Sequence, residues 1–562
     1  MIPMLLRVVV PVLRPVLGPV LFIALASTTL GVQAAPAAAS AAPKLVVVMV
    51  VDGLPAEQVQ RYRQQFGPGG FKRLLEQGAW YGNAHQAHGI TVTAVGHSAV
   101  LTGAYPYQHG IIGNNWIDPD TGKSIYCTED TRYTYLNEKT APDDGTSPAN
   151  LRVPTLGDEL RYAHGNRSKV VTVSGKDRGA ILLAGKTGTA YMYMESSGNF
   201  ATSSFYMAEH PDWVKRFQAG KPQDRYVGKT WQPLLKAEAY ADDSADELAR
   251  DRDGKQANFP FTYGKAGAAP DAAYYKSLKP GPYLDELTLE FARAAVLGEN
   301  LGRNPAGVPD LLGVSLSAHD YVNHAYGPES KMSHDHLQRL DRMLADFFTF
   351  LDQRVGLDNV VVVMTADHGF SNTPEFSRTR HLDADKVDSE KLFAALNAHL
   401  ADKFRIEKLV RATSLPNIYL DYSAADLRNI RRDDIDAVAA RFLLTQPGVA
   451  QVYSREQMEN GVAGATRMDL LMKRAWQRQR SGDLMVVLKP YWLFGSGAGA
   501  SHGTPYAYDT NVPLMIMGPR WIRPGAYSQY AEVVDLAPTL AHLLRVRPPA
   551  GAEGRVLTET LR

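Results

Sequence analysis

Leu45-Val-Val-Val-Met-Val-Val51 is an apolar run that is followed directly by Asp52-Gly53. An unbroken apolar run, without the alternation of a half-buried strand, is typical of a strand covered on both faces, as in a parallel sheet between layers of helices. The run stops at a carboxylate. It therefore predicts a buried parallel strand whose carboxyl end carries a reactive side chain.

The same pattern recurs along the chain. Three further runs each stop just before polar or charged residues; they are Val170–Ser174 before Lys176, Leu311–Leu316 before Asp320, and Val360–Met364 before Asp367. Helical spacing separates them, most clearly from Leu337 to Leu351. This alternation predicts an α/β fold with a mostly parallel central sheet flanked by helices. Sites in such sheets gather at the carboxyl ends of the strands.

Two long stretches interrupt the alternation of strands and helices. One, at about 188–282, is rich in Tyr, Trp, Gly and charge, and the other, at about 385–490, mixes short strand-like and helix-like segments. We interpret residues 44–562 as one α/β catalytic domain, with an insertion at about 188–282 and a cap at about 385–490.

The N-terminus has the pattern of an export signal. Two arginines precede an apolar run, Pro15 to Val32, and small residues follow up to Ala34. This pattern predicts a signal peptide over residues 1–34, cleaved after Ala34, and a flexible leader over 35–43. An uncleaved anchor is the alternative, but the run is short and interrupted by prolines. We expect a periplasmic or secreted bacterial protein without stable membrane insertion.

Charge and cysteine content exclude several classes of partner. The formal net charge is +1, which gives no reason to expect nucleic acid or an anionic membrane surface as a partner. Cys127 is the only cysteine, so an exported chain of this kind has no internal disulfide. Its core, or bound metal, must hold it together. A monomer is expected.

Carboxylates and imidazoles gather at the predicted strand ends. The candidate metal ligands are Asp52, Asp320, His324, Asp367, His368 and His502. Asp320 and His324 are four residues apart, so one helical turn would bring them to one face. A strand-end Asp alone is more often a helix cap. Because several such residues occur together at the predicted strand ends, a metal site is favoured. A ligand set of Asp and His without a cysteine thiolate suits catalytic zinc.

Thr93 is the candidate nucleophile. It lies in Thr91-Val-Thr93-Ala-Val-Gly-His97-Ser98, after the first strand. A threonine that opens a helix is normally an N-cap. A hydroxyl at a helix N-terminus is also well placed beside an anion, and a neighbouring zinc would lower its pKa and make it a nucleophile. His97 and His109 are expected to be structural residues.

These motifs resemble the alkaline phosphatase superfamily over nearly all of the mature chain. The matching segments are 50–53, Thr93 to His97, Thr102 to Pro106, His109 to Asn114, Asp320 with His324, Asp367 to Gly369, and His502-Gly503. The sequence is most similar to the PafA-type, phosphate-irrepressible enzymes, which have a threonine nucleophile. Nucleotide pyrophosphatase/phosphodiesterases are near relatives.

The resemblance implies a secreted zinc-dependent phosphomonoesterase that acts through a phospho-threonine intermediate. It implies two Zn²⁺ per chain, one held by Asp320, His324 and His502 and the other by Asp52, Asp367 and His368 with Thr93 approaching it. The second zinc would activate the threonine and the first would stabilise the departing oxygen.

Asn114, Lys176 and Arg178 bear on the substrate class. The resemblance implies that they contact the phosphoryl oxygens, and cationic donors favour the more highly charged phosphate monoester over a diester. Solvated surface charge is the alternative interpretation of Lys176 and Arg178. Because such a lysine fills the space of a magnesium ion in related enzymes, we expect no structural Mg²⁺.

Two other functions stay open. A phosphodiesterase or nucleotide pyrophosphatase would share the zinc ligands and the threonine, and only Asn114, Lys176 and Arg178 separate it from a monoesterase. A non-catalytic ligand-binding protein on the same fold is the alternative of another class, but it would be expected to have lost a ligand or the nucleophile. A sulfatase is disfavoured because the sequence around Cys127 does not fit the motif of that group.

Overall fold

The computed structural model describes residues 41–244, 258–461, 465–497 and 499–562. The predicted signal peptide and most of the predicted leader lie outside the described residues. Leu45–Val51 forms a strand in which every residue is fully buried. It pairs in parallel with Asp310–Leu316 on one side and Val360–Thr365 on the other, which explains why the run needs no polar face.

The strands are numbered along the chain. They are β1 (Leu45–Val51), β2 (Ala79–Tyr81), β3 (Ala84–His85), β4 (Asn115–Ile117), β5 (Ser124–Tyr126), β6 (Val170–Ser174), β7 (Thr189–Tyr193), β8 (Phe200–Ala201), β9 (Thr230–Trp231), β10 (Phe261–Thr262), β11 (Asp310–Leu316), β12 (Val360–Thr365), β13 (Lys386–Val387), β14 (Val410–Ser414), β15 (Asn417–Leu420), β16 (Val449–Ser454), β17 (Leu484–Leu488), β18 (Leu493–Phe494), β19 (Leu514–Met517), β20 (Gly525–Tyr527) and β21 (Ala531–Glu532).

Nine of these strands form the central sheet, in the order β20-β2-β19-β12-β1-β11-β6-β7-β8. The middle of the sheet, from β12 through β1, β11 and β6 to β7, is parallel throughout. Strand β19 runs antiparallel to both of its neighbours, and β8 is antiparallel to β7. The prediction of a mostly parallel α/β sheet is confirmed.

Helices surround the sheet and build the cap. They are α1 (Ala56–Arg61), α2 (Phe71–Gln77), α3 (Thr93–Thr102), α4 (Pro106–His109), α5 (Leu156–Ala163), α6 (Asp177–Ala184), α7 (Asp212–Ala219), α8 (Ala272–Ser277), α9 (Pro282–Gly298), α10 (Ala318–Tyr326), α11 (Lys331–Arg354), α12 (Pro374–Thr379), α13 (Ser389–Phe404), α14 (Ser423–Asp426), α15 (Arg432–Leu444), α16 (Arg455–Asn460), α17 (Arg467–Ala475), α18 (Ala507–Thr510) and α19 (Leu536–Leu544). None of the helices in these described ranges is long and apolar enough to span a bilayer.

Helix α11 shows how the sequence pattern becomes packing. Its apolar side chains at spacings of three and four, from Leu337 to Leu351, are fully buried in the main core. Helix α10 precedes it and begins directly after β11, so the chain turns from strand to helix at the carboxyl edge of the sheet. That turn places the residues of α10 beside the end of β1, the neighbour of β11.

The cap, residues 385–490, has a sheet of its own in the order β14-β15-β17-β16. A separate apolar cluster packs this sheet against α13 and α15. Its strand β14 touches the β4–β5 hairpin, where Ser414 Oγ donates a hydrogen bond to the carbonyl of Asn115 at 2.9 Å. The segment expected as an insertion, about 188–282, opens with β7 and β8 of the central sheet, so the inserted part begins after Ala201.

Candidate active site

Four adjacent strands end at one edge of the sheet and deliver the candidate side chains. In the order β12-β1-β11-β6, these strands run parallel, so their carboxyl ends meet. Asp52 follows β1, Lys176 follows β6, Asp367 follows β12, and Asp320 lies in the first turn of α10. Residues more than 300 positions apart in sequence therefore come into contact. Gly53 N, for example, donates a hydrogen bond of 3.1 Å to Asp367 Oδ1.

The six candidate metal ligands form one cluster. Its distances are 3.4, 3.5 and 3.9 Å from Asp320 Oδ1 to Nε2 of His324, His502 and His368, and 3.4 and 3.5 Å from His368 Nε2 to Asp52 Oδ1 and Asp367 Oδ2. Two groups of three have donor atoms within 4.8 Å of one another: Asp320 with His324 and His502, and Asp52 with Asp320 and His368. Asp320 therefore lies between the two groups, and Asp367 adjoins the second through His368.

All three imidazoles are oriented by backbone carbonyls. The Nδ1 atoms of His324, His368 and His502 donate to the carbonyls of Ala500, Gly369 and Thr91, at 3.0, 2.8 and 2.8 Å. A proton held on Nδ1 leaves Nε2 of a neutral imidazole with a lone pair, and the three Nε2 atoms face the carboxylates. Ligating histidines are commonly fixed by such contacts.

The cluster fits metal cations. Buried atoms with no hydrogen-bond partner among the described residues include Asp52 Oδ1, Asp320 Oδ1 and His368 Nε2. Nε2 of His324 and Nε2 of His502 lie only 3.2 Å apart, although both nitrogens are acceptors when Nδ1 carries the proton. Unpaired buried acceptors that face one another are costly unless a cation lies among them. Carboxylate and imidazole without thiolate is a donor set that zinc accepts.

Lys176 joins two of the carboxylates. Its Nζ lies 2.7 Å from Asp52 Oδ2 and 2.5 Å from Asp320 Oδ2. Burial opposes ionisation of both carboxyls, but the ammonium group outweighs it and holds the pKa of each below its ordinary value. The two carboxylates in turn overcome the effect of burial on the lysine and raise its pKa. The amine is therefore a fixed positive charge.

The histidines differ in their affinity for protons. Burial lowers the pKa of His324 and, more strongly, of His502. His368 is also buried, but Asp367, Asp52 and Asp320 surround it and raise its pKa to about 9. Since only a neutral imidazole can bind metal, metal binding must displace the proton of His368 near neutral pH.

Thr93 opens helix α3 at the edge of this cluster. Val92 is the N-cap, and no side chain caps the helix, so the interpretation of Thr93 as an N-cap residue is wrong. The threonine is 1% exposed, and its Oγ1 lies 3.4 Å from Lys176 Nζ. Its hydroxyl thus lies beside a fixed positive charge and at the positive end of a helix dipole.

The β4–β5 hairpin connects Asn114 with Arg178. Asn114 precedes β4, and its Oδ1 accepts a hydrogen bond from Ala94 N at 2.9 Å, so its amino group keeps two donors. Tyr126 ends β5 opposite Asn115, and its hydroxyl accepts from Arg178 Nη1 at 3.2 Å. The structure thus ties Asn114 to the start of α3 and Arg178 to the same hairpin.

Gly53 is required by the close approach of two backbones. Its φ is +70°, and a Cβ there would lie 3.2 Å from Asp320 Cα. The tight turn after β1 lets Asp52 approach Asp320.

His97 has a contact that the sequence analysis missed. Its Nδ1 donates to the carbonyl of Thr93 at 2.9 Å and lies 3.0 Å from Asp367 Oδ2, and its Nε2 lies 2.8 Å from Ser315 Oγ. The imidazole therefore links the start of α3 to a candidate ligand and to β11. The sequence indicated the contact between His97 and Thr93, because residues 93 and 97 are four apart and therefore share one face of a helix.

Comparison with known proteins places the chain in a family. A sequence model of the family described as type I phosphodiesterase / nucleotide pyrophosphatase matches residues 46–509. The chain therefore belongs to that family. A protein of Myroides odoratus named calcium-transporting ATPase is 33% identical over 92% of this chain and 95% of its own length.

Several relatives carry the name alkaline phosphatase. PhoV of Synechococcus elongatus is 36% identical over 93% of this chain and 94% of its own, and PafA of Elizabethkingia meningoseptica is 34% identical over 92% and 94%. A crystal structure of alkaline phosphatase PafA superposes with a TM-score of 0.86 at 33% identity, over 93% of this chain and 100% of that chain.

A second PafA structure is of a variant substituted at one threonine, one asparagine, one lysine and one arginine. Thr93, Asn114, Lys176 and Arg178 have the same order and the same spacing along this chain.

Proposed function

We propose that this protein is a zinc-dependent phosphomonoesterase, an alkaline phosphatase, that hydrolyses phosphate monoesters through a phospho-threonine intermediate on Thr93. The observation that carries the proposal is the position of the buried Thr93 hydroxyl, 3.4 Å from a buried ammonium that itself contacts two candidate metal ligands. The relatives named alkaline phosphatases support the activity.

Two Zn²⁺ ions are the proposed cofactors. Asp320, His324 and His502 would hold one, and Asp52, Asp367 and His368 the other. Bound there, zinc would supply Lewis-acid chemistry: it lowers the pKa of a nearby hydroxyl or water and offsets negative charge on the reacting oxygens. The unpartnered buried oxygens and nitrogens support both sets of ligands.

The residues of the chain would divide the reaction between them. Thr93 Oγ1 forms a bond to phosphorus as the bond between phosphorus and the ester oxygen breaks; the hydroxyl proton of Thr93 passes to solvent, and the departing oxygen takes up a proton and leaves as the alcohol. Water then attacks the phospho-threonine, which releases phosphate and returns a proton to Thr93 Oγ1. Lys176, Arg178 and Asn114 donate to the non-bridging phosphoryl oxygens in both displacements. Donors that are fixed before reaction need no reorganisation, and removing one typically costs a factor of about 10²–10³ in rate.

Lys176 is the basis for preferring monoesters and for expecting no structural Mg²⁺. Its Nζ lies between Asp52 and Asp320, at 2.7 and 2.5 Å, where it offsets their charge. A monoester offers one more charged oxygen to such a donor than a diester does, so it gains more from the contact. We propose that the ammonium group performs the charge compensation that a third metal would provide.

Export is part of the proposal. The N-terminal pattern supports cleavage after Ala34 and release into the periplasm or medium. N-terminal sequencing of the protein recovered outside the cytoplasm would begin at Ala35. An intact Met1 on the recovered active protein would contradict cleavage.

The test of the proposed function is Thr93→Ala with a monoester substrate. We expect kcat to fall by at least about 10³-fold while zinc content stays at two per chain, because covalent attack is lost and the ligands are unchanged. Thr349→Ala, the same change at an exposed site on α11, is the matched control and keeps the wild-type rate. A near-wild-type rate in Thr93→Ala rules out the nucleophile.

Phosphodiesterase activity is the second candidate, and the matched family model favours it. To distinguish it from phosphomonoesterase activity, kcat/KM for p-nitrophenyl phosphate is compared with kcat/KM for bis-p-nitrophenyl phosphate. We expect the monoester to be preferred because of Lys176 and Arg178. A strong preference for the diester would overturn the substrate class and leave the metal ligands as proposed.

A further inference from the structure

An apolar pocket of about 230 Å³ lies between the cap and the candidate active site. We call it the cap pocket, and its walls include Val92, Leu415, Met472, Trp492, Phe494 and His502. Val92 directly precedes Thr93 and caps α3. His502 is one of the candidate zinc ligands. The cap pocket therefore adjoins the centre of the proposed reaction through these two residues.

Two further contacts fix the cap pocket beside the active site. One face of the His502 imidazole stacks on His368, with ring centroids 3.5 Å apart, so the ring is held between the metal-ligand cluster and the pocket. Ser414, which precedes Leu415 in the pocket wall, donates to the carbonyl of Asn115. The wall thus adjoins the hairpin that carries Asn114.

The chemistry of the cap pocket selects an apolar guest. Among the described residues that line it there is no Asp, Glu, Lys or Arg. Two of its polar groups are engaged, since His502 Nδ1 donates to Thr91 and Thr504 Oγ1 donates to Asp509. The indole Nε1 of Trp492 has no hydrogen-bond partner among the described residues and is a single free donor in the wall. Pockets of this kind bind apolar groups and leave orientation to a few polar atoms at one end.

The size of the cap pocket sets the scale of the guest. A cavity of about 150 Å³ with apolar walls is enough to bind benzene in another protein. The cap pocket, at about 230 Å³, accepts one aromatic ring with a small substituent. A polar sugar would lose the hydration of several hydroxyls there and would find no charged side chain, with the Trp492 indole N–H as a free donor.

We propose that the cap pocket binds the leaving group of the substrate and selects aryl and other apolar phosphate monoesters. The inference rests on the proposed function. The phosphoryl group lies with Thr93 and Lys176, and the apolar alcohol extends past His502 between the cap and the core. The cap is then a determinant of specificity, and the reactive centre alone determines the chemistry.

The test compares an aryl with an alkyl ester in variants of the pocket wall. For each protein, kcat/KM is measured with phenyl phosphate and with methyl phosphate, and the ratio of the two is compared with the wild-type ratio. Dividing by the wild-type ratio cancels the different intrinsic reactivity of the esters. The variants are Leu415→Ala, where the side chain is 39% exposed, and Phe494→Ala. Leu427→Ala is the matched control, because Leu427 is 87% exposed in the cap and does not line the pocket.

We expect the ratio to fall by about fivefold or more in Leu415→Ala and Phe494→Ala and to stay constant in Leu427→Ala, since a few lost apolar contacts in a pocket change discrimination by about tenfold. An unchanged ratio in both pocket variants would overturn the inference about the cap pocket and leave the proposed function standing. If wild-type protein with zinc hydrolyses neither ester, the proposed function fails as well.

Inhibition of the unmodified protein gives a result that does not depend on folding of a variant. Phenylphosphonate and methylphosphonate differ only in the group that would enter the cap pocket. We expect phenylphosphonate to be the stronger competitive inhibitor by about tenfold. Equal inhibition constants would contradict the inference.

Discussion

Lys176 has two roles, and both depend on the charge of its ammonium group. Its ammonium contacts Asp52 and Asp320 and also lies 3.4 Å from the hydroxyl of Thr93. The first contacts organise the candidate ligands, and the last places a positive charge where phosphoryl oxygens would arrive. Methionine keeps the apolar stem and removes the charge, so it tests the electrostatic role with little change in packing.

For Lys176→Met we expect kcat/KM with p-nitrophenyl phosphate to fall about 10²-fold, because a fixed donor to the transferred phosphoryl group is lost. With bis-p-nitrophenyl phosphate the loss should be smaller, since the diester carries less charge. Steady-state kinetics on both substrates measures the difference. Lys391→Met, at a side chain that is 85% exposed, is the matched control. Equal losses on both substrates would refute the role in substrate class.

Residue types and strand ends predicted which side chains meet, because parallel strands end at a common edge. The sequence did not predict which atoms of these side chains come into contact. The contact of His502 Nδ1 with the carbonyl of Thr91 joins residues 411 positions apart through two irregular loops, and no periodicity encodes it. The position of Asp320 between two groups of ligands likewise depends on the turn from β11 into α10.

Helix α3 lies against the end of β12 so closely that one glycine makes the contact possible. A Cβ on Gly96 would lie 2.0 Å from the carbonyl oxygen of Asp367, which is backbone and cannot move aside cheaply. Alanine normally stabilises a helix interior relative to glycine by about 1 kcal/mol. At Gly96 the steric conflict with Asp367 makes alanine destabilising instead.

We expect Gly96→Ala to lower the free energy of unfolding by about 1–3 kcal/mol or more and to reduce zinc content, because Asp367 must shift. Thermal unfolding and metal analysis are the measurements. Gly82→Ala is the matched control, since the nearest atom to a Cβ there is 3.6 Å away. A stabilised Gly96→Ala protein with full zinc content would show that the close approach is not required.

The cap carries its own titrating group. Asp436, in α15, is 5% exposed and accepts a hydrogen bond from the Tyr422 hydroxyl at 2.5 Å. Burial raises its pKa to about 7. Between the ordinary pKa of about 4 and this value the folded state holds a proton that the unfolded state has lost, so stability falls as pH rises through this window.

Asp436→Asn keeps the acceptor oxygen and removes the ionisation. We expect the decrease in unfolding free energy from pH 5.5 to pH 7 to be smaller in this variant, by at most about 1.4 kcal/mol per pH unit. Urea unfolding at the two pH values measures it. Asp433→Asn, in the first turn of the same helix with a side chain 44% exposed, should follow the wild-type protein. Parallel curves for wild type and Asp436→Asn would contradict the prediction.

The elements that the sequence predicted best are the long strands that are buried on both faces. β1 and β12 are almost unbroken apolar runs, β11 has only Gly313 and Ser315 within its run from Leu311 to Leu316, and each strand was identified from its own residues. β2 and β19 have three and four residues, too few for a pattern, and the antiparallel insertion of β19 between β12 and β2 depends on contacts between distant segments.

At the scale of the whole molecule, the metal-ligand cluster joins segments from residue 52 to residue 502. The buried carboxylates of Asp52, Asp320 and Asp367 lie together at the sheet edge, and Asp52 Oδ1 and Asp320 Oδ1 have no hydrogen-bond partner among the described residues. Cations bound only by the folded state stabilise it by mass action, by about 4 kcal/mol at a thousandfold excess over the dissociation constant. Metal binding should therefore govern both activity and global stability.

We expect chelation to lower the melting temperature and abolish activity, and Zn²⁺ to restore both. Because Asp367, Asp52 and Asp320 raise the pKa of His368 to about 9, zinc binding at pH 7.5 should also release a proton from this residue. Calorimetric titration of the metal-free protein in buffers of different ionisation enthalpy counts the protons. Thr93→Ala, which keeps all six ligands, should show the same proton release and the same rise in melting temperature, whereas Asp320→Asn should show a smaller rise. If zinc left the melting temperature of every protein unchanged, the cluster would have another purpose than holding metal, because a cation bound across four strand ends must stabilise the fold that brings them together.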